Sequence, residues 1–147
     1  NRLGISIAAR TYKSYRELLA SPRWRTLAAA GARPQRLLWA STGTKDPKAS
    51  ETLYVEALAA PDTINTIPEK TLHAFAERGE IKGAMAEDGG DAETVIARFT
   101  RAGIDVDALA KQLQRDGAKT FVKSWQELLQ RIDDKRAVLA GAGQRTG

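Results

Sequence analysis

"RLLWASTGTKDP", residues 36–47, decides how this chain is read. Its first half, Leu37, Leu38, Trp39 and Ala40, is an unbroken apolar run that is too short for a helix and bounded by turn formers. Such a run fits a strand buried on both faces, the kind found in parallel sheets covered by helices. The second half is a knot of hydroxyls, a glycine, a lysine and a proline. In parallel α/β folds ligands sit at the carboxyl ends of strands, so the knot stands where a ligand would be held. Ser41, Thr42 and Thr44 offer hydroxyl donors, Gly43 lets backbone N–H groups come close, and Lys45 adds a positive charge, a combination suited to gripping phosphate. The same residues also fit an ordinary polar loop in which Asp46-Pro47 only turns the chain into its next helix. By strand alternation Trp39 and Ser41 point to the same side.

Outward from this stretch the punctuation is regular. Ser50 is placed to cap a helix carrying Leu53, Tyr54, Val55 and Leu58 that stops before Pro61. "TINT", residues 63–66, is a second strand by its β-branched content. Pro68 opens a helix that Gly79 closes. Strand, loop, helix, strand and helix in that order predict a parallel α/β arrangement. Upstream, Ile7, Ala8, Tyr12, Tyr15, Leu18 and Leu19 share one face of a helix over about residues 5–20, and Ser21-Pro22 start a short helix ending at Gly31. Downstream, Asp91 caps a helix with Val95, Ile96 and Phe99 up to Gly103, and Asp105 caps another with Leu109 and Leu113 up to Gly117. Phe121, Val122, Trp125, Leu128, Leu129, Ile132 and Leu139 form an apolar stripe on a final helix, expected to be core, and residues 141–147 are expected to be a flexible tail. Residues 86–91, "AEDGGD", are the expected flexible loop. Two strands leave both sheet edges open, so the pattern calls for further strands upstream or for helices that cover the edges.

Composition bounds the function. The 147 residues suffice for one domain, and 42% hydrophobic with 28% charged residues is a soluble, globular balance. The sequence has no cysteine, which excludes disulfides and thiolate metal sites. Its single histidine, His73, rules out a histidine metal cluster and lies among Leu72, Phe75 and Ala76, where a structural role is expected. No apolar run approaches the roughly 18 residues of a membrane span, and no signal-peptide pattern opens the chain. It begins at Asn1 and reads as a processed chain or a piece of a longer one. The net charge of +5 is uneven: residues 1–50 hold 10 Lys/Arg against 2 Asp/Glu, and residues 51–100 hold 4 against 10. A basic front third fits either a nucleic-acid face or a solvated helix surface, and the second is favoured because no nucleic-acid motif accompanies it.

"RLLWASTGTKDP", then "SETLYVEALAAPDTINTIPEKTLHAF", and later "GAKTFVKSWQELLQRIDDKR" resemble the C-terminal part of a bacterial transaldolase, in the subgroup with "PLWASTSTKNP"-like and "PDTVNTMP"-like strands. The resemblance runs from about Gly4 to the final helix. It implies a (β/α)8 TIM barrel of the class I aldolase type, with residues 1–140 supplying the last two strands and their helices. It further implies transfer of a dihydroxyacetone unit between sugar phosphates, from sedoheptulose 7-phosphate to glyceraldehyde 3-phosphate, through a lysine Schiff base in the pentose phosphate pathway. No metal or organic cofactor, nucleic acid or membrane is implied. The implied partners are sugar phosphates and the remaining N-terminal barrel portion, in the cytoplasm, with room for a homo-oligomer.

The family's nucleophilic lysine stands in a "K-I-P-A-T"-like strand that has no counterpart here. Lys45, Lys82, Lys119 and Lys123 are therefore not assigned as nucleophile, no catalytic residue is expected in this segment, and it is expected to be inactive alone. What the resemblance carries over is the substrate-phosphate site. Ser41 matches the family serine, Lys45 takes the place of its cation, and Thr42 and Thr44 lie in the same loop; Asn65 at the tip of the second strand is a pocket-lining candidate. Asp46 departs from the usual asparagine, and its carboxylate is expected to turn away from a phosphate. Two alternatives stand beside this reading: a non-catalytic helical binding or assembly module, and part of a fusion with phosphoglucose isomerase.

Overall fold

The computed structural model describes residues 1–143, so the last four residues of the expected tail lie outside the described residues. The elements run α1 (Arg2–Ala20), α2 (Pro22–Ala29), β1 (Leu37–Ala40), α3 (Leu53–Ala57), β2 (Thr63–Thr66), α4 (Glu69–Arg78), α5 (Ala92–Arg101) and α6 (Val106–Gly143). They fall into two compact units, Asn1–Ala102 and Gly103–Gly147.

In the first unit β1 and β2 pair in parallel, with Leu37 opposite Thr63 and Ala40 opposite Thr66. The intervening α3 is shorter than the sequence pattern predicts. Thr52, not Ser50, precedes its first residue, because the Ser50 hydroxyl is turned to the Thr52 N–H at 3.3 Å and holds the chain in a turn. Ser21 does cap α2, accepting from the Trp24 N–H at 3.2 Å with Pro22 in the first turn, and Gly31 ends it at φ 92.

The core forms where α1 meets the sheet. Tyr12 is fully buried against Trp39 and Leu58, with Ala8, Tyr15, Leu37, Tyr54, Ala60 and Met85 around them. The Tyr12 hydroxyl donates to the Pro61 carbonyl at 3.2 Å, which ties α1 to the turn leading into β2. Burial pushes the Tyr12 phenol above its ordinary pKa of 10.0, with the Arg16 charge opposing the shift. On the other side of α1 lies α5, whose Ala92, Val95 and Ile96 are buried at helical spacing. Arg10 clamps that contact, donating from Nε and Nη2 to the two oxygens of Glu93 at 2.6 Å each.

The charge asymmetry along the sequence is resolved within this unit. Arg2 pairs with Asp91 at 3.7 Å, and Arg16 with Asp62 at 2.8 Å and Glu87 at 3.0 Å. The basic front of the chain thus meets the acidic middle. The stretch at residues 86–91, expected to be a flexible loop, is a turn tied to α1 by the Arg16–Glu87 pair, and its Gly89 sits against Lys13. Glu51 joins Lys70 and Arg78 of α4, and the Lys70 hydrogen bond, followed by both cationic charges, holds its carboxyl below the usual glutamate range. Gly79 closes α4 as expected, and a Cβ there would overlap the Phe75 ring.

Four expectations change. β1 is not buried on both faces: Trp39 is 8% exposed, whereas Leu38 and Ile64, on the opposite face, are 47% and 37% exposed, because no described element covers that face. Leu18 is likewise 61% exposed and leaves the apolar face of α1. In the second unit α6 runs unbroken through Gly117, and its stripe is solvent-facing, with Phe121 80% and Trp125 60% exposed, rather than core. A lone helix has nothing within its own unit to pack against. His73 is exposed, with Nε2 4.0 Å from Glu69 Oε1.

Two outcomes follow from the packing around α1. Tyr12→Phe is expected to cost about 1 kcal/mol, the worth of a typical hydrogen bond, and Tyr12→Ala about 3–5 kcal/mol in urea unfolding. The Arg10 hydrogen bond holds the Glu93 carboxyl below its ordinary value of 4.5. A depressed folded pKa means that the pair stabilises fully above the unfolded value and ceases to do so as the pH falls through the folded one. The difference in Tm between wild type and Glu93→Gln is therefore expected to be greatest at neutral pH and to vanish in acid.

Candidate functional site

The loop that follows β1 begins with a strained residue. Ser41 has φ 57, a left-handed conformation that for a non-glycine residue costs on the order of 1–3 kcal/mol and persists only where neighbours enforce it. This turn breaks the alternation rule. Trp39 faces the helices, and Ser41 is not bound to follow it.

Each following residue is pinned differently. Thr42 is 2% exposed, and its hydroxyl donates to Asn65 Oδ1 of β2 at 2.7 Å. Gly43 lies against the start of α4, where a Cβ would stand 3.4 Å from both Pro68 Cγ and Thr71 Oγ1, in van der Waals contact. The Thr44 hydroxyl donates to the Ser50 carbonyl at 3.0 Å. Asp46 accepts from the Lys48 N–H at 2.9 Å and from Asn1 Nδ2 at 3.2 Å. Lys45 is exposed, and among the described residues it forms no ion pair.

These residues open onto a cavity of about 640 Å³ whose wall includes Ser41, Thr42, Lys45 and Asp46, with Tyr54 and Leu58 behind them. Ser41 and Lys45, proposed partners by sequence, share this wall. Thr44 and Asn65 do not line it. Their polar atoms instead hold the loop from behind. Asp46 stays on the cavity wall, with both carboxylate oxygens occupied by the two donors above. Chemically the wall offers a serine hydroxyl and an ammonium that forms no ion pair among the described residues, a donor set suited to an oxyanion. No group of three or more His, Asp or Glu residues able to hold a metal is present among the described residues, and no described helix is long and apolar enough to cross a membrane.

Sequence reasoning missed the Thr42–Asn65 hydrogen bond. The two residues are 23 positions apart, and only the observed strand register brings them together.

A parallel β–α–β unit with a donor-rich loop at the carboxyl end of its first strand defines an α/β protein. Comparison with known proteins narrows that class. The family model described as Transaldolase/Fructose-6-phosphate aldolase matches residues 1–132. The chain is 45% identical to a transaldolase of Frankia alni over 129 residues, 87% of this chain and 35% of that protein. It is 43% identical to a transaldolase of a Parafrankia species over 136 residues, 92% and 37% of the two chains, and 43% identical to one of Saccharopolyspora erythraea over 135 residues, 91% and 37%. This chain belongs to the transaldolase/fructose-6-phosphate aldolase family, and it spans about a third of the length of the curated relatives it matches.

The strain at Ser41 has a measurable consequence. Ser41→Gly removes the penalty and is expected to raise stability by about 0.5–1 kcal/mol, whereas the β-branched Ser41→Val is expected to lower it by about 1–3 kcal/mol, both read by thermal unfolding.

Proposed function

We propose that this chain is the closing portion of a transaldolase (β/α)8 barrel, in which β1 and β2 are the last two strands and the loop after β1 grips the phosphate of a sugar phosphate. The observation that carries the proposal is the shared cavity wall of Ser41 and Lys45 at the carboxyl end of β1, in a chain of this family. The open face of the sheet, with Leu38 and Ile64 exposed, supports the same reading, since a barrel interior would cover it.

In this reading the intact protein transfers a dihydroxyacetone unit from sedoheptulose 7-phosphate to glyceraldehyde 3-phosphate, in the cytoplasm and within the pentose phosphate pathway. A lysine of the upstream portion attacks the donor ketone and water leaves, giving an iminium. The iminium takes up the electron pair of the carbon–carbon bond as that bond breaks, and a carboxylate moves the proton. The present residues bind and orient. Ser41 donates its hydroxyl and Lys45 its charge, a point charge without the fork of an arginine, while Thr42 and Thr44 brace the loop with their hydroxyls. The Asp46 carboxylate oxygens accept from the Lys48 N–H and the Asn1 amide, which orients the group and leaves the phosphate to Lys45.

Two experiments on the intact protein test this. Lys45→Ala is expected to raise KM for glyceraldehyde 3-phosphate about 10- to 100-fold, the worth of one charge-assisted contact, with kcat little changed; an unchanged KM would remove Lys45 from the site. Borohydride reduction in the presence of a ketose phosphate is expected to leave every lysine of residues 1–147 unmodified and to label one upstream of Asn1. A trapped Lys45, Lys82, Lys119 or Lys123 would overturn the division of labour between the two portions.

A further inference from the structure

Ser41 does not hold its left-handed conformation by itself. On one side it is fixed by β1, where Ala40 pairs with Thr66. On the other it is followed by Thr42, buried to 2% exposure, whose hydroxyl hydrogen-bonds Asn65 at 2.7 Å. A further hydrogen bond, from the Thr66 hydroxyl to the Trp39 carbonyl at 3.4 Å, closes the same corner. Among the described residues, the Thr42–Asn65 bond is the one side-chain hydrogen bond between this loop and β2, and it adjoins the strained residue directly. A serine in this region of backbone space relaxes to an ordinary extended or helical conformation once its neighbours stop enforcing the turn. Relaxation would move Ser41 from its place on the cavity wall it shares with Lys45.

We infer that Thr42 and Asn65 are positioning residues, whose part-buried hydrogen bond holds Ser41 in its strained conformation and so sets the discrimination between phosphorylated and unphosphorylated substrates. The inference rests on the reading of Ser41 and Lys45 as a phosphate site. It gives a task to β2 that neither strand performs alone: β1 supplies the ligand-binding residue and β2 supplies the side chain that keeps it in place.

The test uses the intact protein with glyceraldehyde 3-phosphate and with unphosphorylated glyceraldehyde as acceptors, comparing kcat/KM for each. Thr42→Val and Asn65→Ala are expected to lower kcat/KM for the phosphorylated acceptor about tenfold, chiefly through KM, and to change that for glyceraldehyde by less than about twofold. Thr42→Ser keeps the hydroxyl and is expected to restore the preference. Combining Ser41→Ala with Thr42→Val is expected to cost no more than Ser41→Ala alone, since both act on one contact. Should Thr42→Val fail to fold, Asn65→Ala reads the same hydrogen bond from the other strand. Equal losses on both acceptors, or no loss on either while Ser41→Ala still raises KM for the phosphorylated one, would overturn the positioning role and leave the phosphate site standing. A Ser41→Ala variant with unchanged phosphate preference would overturn the site itself and this inference with it.

Discussion

Two parallel strands of four residues each do not hold together by their own hydrogen bonds. The constraint that places them is the burial of Tyr12. From α1 its ring meets Trp39 of β1 and Leu58 beyond α3, and its hydroxyl reaches the Pro61 carbonyl just before β2. One side chain thus touches the three segments whose mutual positions define the β–α–β unit. Once they are set, the end of β1 falls beside the end of β2, and the loop carrying Ser41 and Lys45 is braced from both. The α1–α5 contact and its Arg10–Glu93 clamp secure α1 from its far side.

Electrostatics supports this arrangement without defining it. The arginines of α1 find carboxylates at Asp62, Glu87, Asp91 and Glu93, which lie in the acidic middle of the chain. These are largely exposed pairs, each worth little by itself. Their effect is to set the basic front of the chain against its acidic middle, so that each offsets the charge of the other. Lys45 stands apart from these pairs, which is what a cation reserved for a ligand requires.

Much of the fold was legible because the chain is strongly punctuated. The unbroken run at Leu37–Ala40 and the β-branched "TINT" marked both strands, and Ser21-Pro22 marked α2. What escaped notice depended on what lies opposite a residue. Gly117 looks like a helix stop, but α6 continues through it, since one interior glycine costs only about 1 kcal/mol relative to alanine. Phe121 and Trp125 form a helical stripe whose burial depends on a neighbour that the sequence does not name. At the site, the pairing of Ser41 with Lys45 on one wall followed from their closeness in sequence. The left-handed turn at Ser41 did not, because serine carries no marked preference for it, and the Thr42–Asn65 bond became visible only with the strand register.

The loop is therefore best understood as a joint product of two strands, with donors facing the cavity and hydroxyls of Thr42 and Thr44 turned back into the protein. In the proposed reading, that division of roles makes a short Ser/Thr/Gly stretch a receptor for a charged group rather than a pliable turn. The most direct measurement is a crystal structure of the intact protein with a bound sugar phosphate. The account expects the phosphate within about 3 Å of the Ser41 hydroxyl and the Lys45 ammonium. A phosphate held elsewhere, with Ser41 and Lys45 touching only solvent, would contradict it.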